Sequence, residues 1–428
     1  MRFQTLDKWL EWQSGLHPRK IDLGLERVSE VWDRLLNQPL PGIVLTVAGT
    51  NGKGSCVSML ESILLAAGYR TGCYTSPHLI RYNERIRLDG EEATDESICS
   101  AFESVDGARG EVPLTYFEFG TLAALSLFAR HAPDVILLEV GLGGRLDAVN
   151  ILDPDVALIT TVDIDHTEWL GETRDAIALE KGGIMRPGRP AIFGDLDAPA
   201  ALIKEARTRQ APLYVAGRDF SYEETARGWN WQGGGVWHDA LPHPGLSGSF
   251  QLMNASAVLM LLALIGERLP VARSAIDAGL RNARPAGRFQ VIASDPLTIV
   301  DVAHNPQAAR ALAGNLSETA CRGRTIAVFS MLEDKDIAGV ISIMQPWIDH
   351  WCLVSVEGDR GMSGAALAAR VAGARVHERQ ISRHRDTAGA LQFAGAKSGE
   401  EGRVIVFGSF RLAGDAMQVL QGSYCDRA

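Results

Sequence analysis

The seven residues Gly49-Thr50-Asn51-Gly52-Lys53-Gly54-Ser55 carry the densest chemistry in the chain. Glycines let consecutive backbone N–H groups turn into one concavity, a shape that suits phosphate oxygens. Lys53 brings a full positive charge for terminal phosphates, and the Ser55 hydroxyl can reach a magnesium ion. The apolar run Ile43 to Ala48 leads straight into the loop as a strand, and a helix over Ser55 to Ala67, ending at Gly68, leaves it. A glycine-rich turn that only joins strand to helix is the plainer reading. Strand, lysine, serine and helix arriving in this order favour a nucleotide phosphate loop. Gly54, standing between Lys53 and Ser55, departs from the commoner GxxxxGK[ST] spacing.

Glu139 closes the apolar run Val135 to Val140, where a carboxylate is costly unless it meets a cation. At the carboxyl edge of a parallel sheet, beside a phosphate loop, a magnesium ligand is a better reading than a satisfied strand-end acid. His166 follows the strand-like run Val156 to Val162 onto the same edge, although spacing alone makes it a structural histidine. Glu180-Lys181, taken alone, is a charged pair on a solvated helix face. The six cysteines (Cys56, Cys73, Cys99, Cys321, Cys352, Cys425) form no CxxC pair and the ten histidines no HxxxH pair. Free thiols in a reducing cytoplasm are expected, and structural zinc is not.

These residues need a scaffold, and the chain alternates strand and helix patterns. Helices are predicted over Tyr116 to Ala129 and Asp175 to Lys181, between the runs already named, giving a mostly parallel sheet covered on both faces. Between Tyr222 and Phe250 the alternation breaks, and Trp229, Trp231 and Trp237 around Gly233-Gly234-Gly235 suggest a small antiparallel element with a hairpin. Its aromatics fit sheet packing better than a ligand platform. Helices over Phe250 to Ile265 and Ala272 to Asn282 precede Arg284-Pro285-Ala286-Gly287, the best candidate boundary. Beyond it, strands at Thr298 to Val302, Thr325 to Phe329, Cys352 to Val356 and Val404 to Phe407 alternate with helices. The fold class is α/β: an N-terminal P-loop ATPase-like domain over 1–284 and a C-terminal Rossmann-like domain over 285–428.

A chain of 428 residues exceeds what one core serves, and 46% apolar with 22% charged residues describes a folded protein. A formal charge of −10 argues against nucleic acid as the main ligand. The start, Met1 to Asp7, has no basic head and apolar core, so no signal peptide is expected. The most apolar window, Ala255 to Ile265, is too short to span a bilayer. No membrane partner is expected.

The phosphate loop resembles that of the Mur ligase superfamily, in its folate branch. Thr75-Ser76-Pro77-His78-Leu79, Leu138 to Asn150, Asp165 to Gly171, Glu180-Lys181-Gly182-Gly183-Ile184, Gly287-Arg288-Phe289 and Asp301 to Pro306 resemble successive motifs of the dihydrofolate and folylpolyglutamate synthases. The resemblance runs through both domains, in order.

It implies a Mur ligase-like fold and an ATP-dependent ligase that adds L-glutamate to dihydropteroate and to reduced folates through an acyl phosphate. It implies that Gly49 to Ser55 hold ATP and that Ser76, Glu139 and His166 hold magnesium. Lys181 would be carbamylated (N6-carboxylysine), and a monovalent cation such as K+ would be a further ion. Asp22-Leu23-Gly24-Leu25, Thr115-Tyr116-Phe117-Glu118 and Leu146-Asp147-Ala148 resemble segments that hold the pterin-bearing substrate. Phe117 could stack on a flat heterocycle, whereas Phe119 reads as ordinary helix core. In the other domain, Asn254, Arg288 and Asp301 resemble ATP-binding positions, and His304 stands near the nucleotide or glutamate. Small molecules would be the only partners, and the protein a cytoplasmic monomer. Rival readings are a synthase that only extends folate tails, a cell-wall Mur ligase, and a nucleotide-dependent switch. The forty or so residues before the first strand leave little room for a UDP-binding domain. A switch would have no need of Glu139, His166 and Lys181 together.

Overall fold

The computed structural model describes residues 2–36, 40–356 and 361–425, with side chains up to 420. It resolves into two compact units. Met1–His78, Tyr82–Gly245 and Gln251–Arg284 make one; Leu79–Arg81, Leu246–Phe250 and Pro285–Ala428 make the other.

The first unit is built on eight strands: β1 (Ile43–Ala48), β2 (Thr71–Tyr74), β3 (Ile86–Leu88), β4 (Glu91–Glu92), β5 (Val135–Glu139), β6 (Val156–Ile159), β7 (Ala191–Phe193) and β8 (Leu213–Val215). They lie in the order β4-β3-β2-β5-β1-β6-β7-β8. β3 pairs antiparallel with both β2 and β4, and the other pairs are parallel. β1 sits between β5 and β6, with Val47 opposite Glu139 and Leu158. The strands that flank the phosphate loop are buried on both faces, which is why they read as unbroken apolar runs.

The helices of this unit are α1 (Leu6–Ser14), α2 (Glu26–Leu35), α3 (Lys53–Ala66), α4 (Asp95–Arg109), α5 (Tyr116–His131), α6 (Thr167–Leu170), α7 (Arg174–Gly182), α8 (Ala200–Thr208), α9 (Phe250–Ile265) and α10 (Arg273–Asn282). Val44, Ile136, Leu138 and Ile159 face a core shared with α1, α2, α4, α5 and α7. At its centre Phe119 meets Trp9, Trp12 and Phe102 edge-on or tilted, with centroids 5.4–6.4 Å apart. Truncating so buried a ring costs about 3–5 kcal/mol. α3 packs against α10 closely enough that a side chain at Gly279 would collide with Ile63.

A separate three-stranded sheet, β9 (Phe220–Thr225), β10 (Gly228–Gly233) and β11 (Val236–Leu241), is antiparallel, with β10 in the middle. Trp229 and Trp231 are buried in it. Trp237 does not join them: it is 58% exposed and sits opposite Gln232.

The second unit carries β12 (Gln290–Ser294), β13 (Leu297–Val300), β14 (Thr325–Phe329), β15 (His350–Val354), β16 (Ile381–His384) and β17 (Arg403–Phe407), ordered β12-β13-β17-β14-β15-β16. All pairs but β12–β13 are parallel. β15 begins at His350, not Cys352, because Ile326 of β14 pairs with it there. α11 (Pro306–Glu318), α12 (Ile337–Met344), α13 (Gly364–Gly373), α14 (Thr387–Ser398) and α15 (Phe410–Cys425) cover the sheet. Leu79 and Ile80 pack onto the core formed by Val300, Val302, Leu412 and Ala413, and Asn315 Nδ2 donates to Ser247 O at 3.5 Å. Cys56, Cys73, Cys99, Cys321 and Cys352 are free thiols; the Cys425 side chain lies outside the described ones. No helix among the described residues is long and apolar enough to cross a membrane.

Candidate active site

α3 starts at Lys53, two residues before the position read from sequence, because Gly52 in a left-handed conformation (φ 88°) already turns the chain into the helix. Gly52 offers no side-chain cap. The first-turn N–H groups of α3 therefore suit an anion. Two contacts explain the glycines. A Cβ at Gly49 (φ 150°) would collide with Thr160 Oγ1, and one at Gly52 would stand 2.7 Å from Asn254 Oδ1. Lys53 Nζ donates to Gly49 O at 3.0 Å, closing the loop around its own backbone.

The strand expected over Val156 to Val162 stops at Ile159. Its last residues leave the sheet to hold the loop. Thr160 Oγ1 donates to Asn51 O (2.6 Å), the Asn51 N–H to Thr161 Oγ1 (3.2 Å), the Thr50 N–H to Thr161 O (2.9 Å), and the Asp163 N–H to Thr50 Oγ1 (3.0 Å). These threonines were legible only as strand formers. Asn254 is on α9 in the first unit, against Gly52, and so does not share a domain with Arg288 and Asp301. Its Nδ2 donates to Gln251 Oε1 at 2.9 Å.

At the carboxyl edge of β5, Glu139 is 5% exposed and its Oε2 accepts the Ser76 N–H at 3.2 Å. His166 precedes α6 with φ 51°, its Nε2 3.9 Å from Asp165 Oδ2. Among the described residues no three His, Cys, Asp or Glu side chains form a ready metal cage. Magnesium needs none: it keeps waters and takes one or two carboxylates beside phosphate oxygens. The Glu139 carboxylate suits that role.

Lys181 does not lie on a solvated face. It is 3% exposed, on the side of α7 that also buries Ile177 and Ala178. Burial first, then the charge of Lys53, lowers its amine to about 7, while Asp165 and Asp147 act the other way. Its neighbour Glu180 accepts from Arg145 Nη2 (2.8 Å) and, through its carbonyl, from the Arg145 N–H (2.8 Å). That fixes α7 to the turn preceding Leu146.

Asp147 is buried and uses both oxygens locally, accepting the Leu142 N–H (2.8 Å) and the Val149 N–H (3.1 Å). Burial raises its carboxyl to about 6 against these hydrogen bonds. Gly141 brings two sequence segments together: a Cβ there would stand 2.6 Å from the Phe117 ring and 3.2 Å from Asp147 Oδ2. Phe117 also lies 5.9 Å from Tyr74, tilted by 36°. Thr115 and Glu118 have a structural task that the sequence reading missed, although T-x-x-E spells it. They form a capping box for α5, the Glu118 N–H donating to Thr115 Oγ1 (3.2 Å) and the Thr115 N–H to Glu118 Oε2 (2.7 Å). Tyr116 meets Tyr82 edge-on at 5.9 Å. In the early segment Asp22 pairs with Arg27, a residue that sequence reasoning did not single out, at 2.8 Å. Leu23, Gly24 and Leu25 follow Asp22, and Leu146 and Ala148 flank Asp147; all but the buried Ala148 are half-buried.

In the second unit Asp301 takes the Phe289 N–H and the Ala303 N–H, each at 2.7 Å, and so staples the Gly287 turn to the end of β13. Arg288 lies over Phe410 at 5.3 Å, and the His304 ring is 5.6 Å from the same phenyl.

A phosphate loop braced by the next strand's exit, with a carboxylate and a buried lysine beside it, defines a Mur-type ligase. The family model of the Mur ligase middle domain matches residues 47–262, and that of the Mur ligase glutamate ligase domain matches 287–410. The dihydrofolate synthase/folylpolyglutamate synthase of Escherichia coli strain K12 is 41% identical over 97% of this chain and 95% of its own. That of Haemophilus influenzae is 40% identical over 86% of each. Among solved structures, E. coli FolC in complex with DHPP and ADP superposes with a TM-score of 0.92 at 41% identity, covering 98% and 99% of the two chains. The Yersinia pestis bifunctional folylpolyglutamate synthase/dihydrofolate synthase with AMPPNP and Mn gives 0.90 at 42%, covering 98% of each. The chain belongs to the dihydrofolate synthase/folylpolyglutamate synthase family, ATP-dependent ligases that add glutamate.

Proposed function

We propose that one phosphoryl-transfer centre beside the phosphate loop serves two acceptors, dihydropteroate and reduced folates, each receiving L-glutamate at the expense of ATP. Gly49 to Ser55 cradle the phosphates, and Lys53 neutralises charge on the transferring group. Ser76, Glu139 and His166 hold magnesium, which when bound screens the phosphate charge; a monovalent cation such as K+ is a second ion. The acceptor carboxylate attacks the γ-phosphorus and ADP leaves. The glutamate amine then attacks the acyl phosphate, phosphate departs, the amine loses its proton, and an amide remains. No protein nucleophile takes part.

Lys181 acts as a carbamate, formed when its neutral amine adds to carbon dioxide and releases a proton. An amine lowered to about 7 has the neutral form that this addition needs. Phe117 stacks on the pterin, near Asp147 and Gly141, with Leu146 and Ala148 lining the same turn and Asp22 to Leu25 completing the dihydropteroate site. Asn254, Arg288 and Asp301 serve ATP, Asn254 from beside Gly52. Domain 1–284 would bind ATP and pterin, and 285–428 would act as the glutamate ligase domain. The charge of −10 favours small-molecule partners over nucleic acid; the protein acts as a cytoplasmic monomer.

The buried carboxylate of Glu139 at the end of β5, steadied by the Ser76 N–H at 3.2 Å, carries this reading. Relatives support it too, since solved complexes of E. coli and Y. pestis relatives hold DHPP with ADP, or Mn, AMPPNP and L-glutamate. Purified protein is given ATP, magnesium, glutamate and either dihydropteroate or tetrahydrofolate, with products read by mass. Glutamate-dependent gain of one glutamyl unit on both acceptors is expected. Extension of tetrahydrofolate alone leaves only the tail-extending activity, and ADP release without any acceptor overturns the ligase centre.

A further inference from the structure

Arg27 and Glu118 are 91 positions apart in sequence, yet one guanidinium joins the two segments read above as substrate-facing. Arg27 Nη1 lies 2.8 Å from Asp22 Oδ2, and Nη2 donates to Asp22 O at 2.7 Å and to Glu118 Oε1 at 3.0 Å. Glu118 is 3% exposed, and its other oxygen is taken by the Thr115 N–H. Every strong contact of the Arg27 fork is therefore spent on the Asp22 loop or on the start of α5. Its Nε is buried with no hydrogen-bond partner among the described residues. Keeping an unpaired buried N–H is unfavourable, and the two-pronged geometry is one that lysine lacks. His17 Nε2 and Arg19 Nη1 reach Asp22 only at 3.4 Å. Arg27 holds both the carboxylate and the carbonyl of Asp22.

We propose that Arg27 is a positioning residue for the first glutamylation: it sets the Asp22–Leu25 loop against the α5 start that carries Phe117, and so determines how well dihydropteroate is seated. This rests on the proposed reading of those segments as the dihydropteroate site. A reduced folate, whose reacting carboxylate is at the end of a glutamyl tail, must place its pterin differently to reach the same phosphoryl centre. It depends less on this loop.

The test measures kcat and KM for dihydropteroate and for tetrahydrofolate separately in Arg27→Gln, Arg27→Lys and Glu118→Gln, with melting temperatures. Glu118→Gln keeps a carbonyl for the Thr115 N–H while weakening the partner of Arg27. In Arg27→Gln the KM for dihydropteroate should rise about 10- to 100-fold, with a penalty on tetrahydrofolate about 5-fold smaller or less. Arg27→Lys should recover part of the loss, and Glu118→Gln should reproduce its selectivity. Equal losses on both acceptors, with a lowered melting temperature, would reduce Arg27 to a structural residue and overturn the inference. Unchanged kinetics in Arg27→Gln overturn it as well. A wild-type protein that extends tetrahydrofolate and ignores dihydropteroate overturns the underlying reading and this inference together, an outcome visible before any variant is made.

Discussion

The carboxylate of Glu61 meets the guanidinium of Arg87 through two nitrogens, Nε donating to Oε2 at 2.9 Å and to Oε1 at 3.1 Å, and Nη2 to Oε2 at 2.7 Å. Glu61 is on α3, two turns beyond the phosphate loop. Arg87, on β3, also donates to Thr75 Oγ1 (3.3 Å) and Glu84 O (3.0 Å). The pair thus ties the helix that carries the loop to the turn that carries Ser76.

Glu61→Ala should therefore destabilise the protein. Stranding one member of a buried pair costs about 3–5 kcal/mol, and the lower end applies because the Arg87 side chain keeps 20% exposure. Urea unfolding measures it; an unmoved midpoint would remove the pair from the account of stability.

Lys53→Ala should lower turnover by about 100-fold or more while leaving the circular-dichroism spectrum unchanged. Its contacts are to loop carbonyls, which water can replace. A variant with the wild-type rate would sink the phosphate-loop assignment.

Lys181→Ala should lose activity and regain part of it with short carboxylic acids that supply the missing anion. In the wild type the sign follows from the lowered amine. Below about 7 the amine is protonated and cannot add to carbon dioxide, so activity should fall on acidification and recover with added bicarbonate as pH rises. Intact mass under gentle conditions reads the adduct directly, and a fully active Lys181→Ala enzyme would show that the carbamate is dispensable.

His350, on β15 of the second unit, gives a stability prediction. Burial, then Lys397 and His384, lower it to about 4, and its Nε2 lies 2.9 Å from Ser382 Oγ. The unfolded imidazole titrates at about 6.5, so between these values the unfolded chain binds the extra proton. Its contribution to stability is present above about 6.5 and lost as pH falls towards 4. His78, lowered in the same direction by burial and Arg85, adds to the slope. Denaturant midpoints across pH 4–7 should flatten partially in His350→Gln; an unchanged slope would contradict the assignment.

Elements with their own strong signal were legible from sequence. β1, β14 and α9 occupy the ranges that their apolar runs suggest, because burial on every side writes itself into composition. β6 was overextended because Thr160, Thr161 and Val162 favour strands, while the real partners of the two threonines lie some 110 positions earlier in the phosphate loop. Lys181 looked solvated because a helix does not announce which neighbour will cover it. Arg27 and the Glu61–Arg87 pair escaped for the same reason: each is defined by a contact between distant segments, and neither residue type is informative without its partner.

Leu79 and Ile80, with Leu246 to Phe250, have a consequence for biosynthesis. The second unit is not a contiguous stretch of the gene, since residues made early belong to a body whose sheet is made last. Leu79 lies 3.1 Å from where a Cβ on Gly287 would stand, and its carbonyl occupies the space that a side chain at Gly414 would need. A fragment starting at Pro285 would expose that seat, so splitting the gene at the obvious boundary should yield a sticky product. On the ribosome, the early segment must wait, unsatisfied, until nearly the whole chain has emerged.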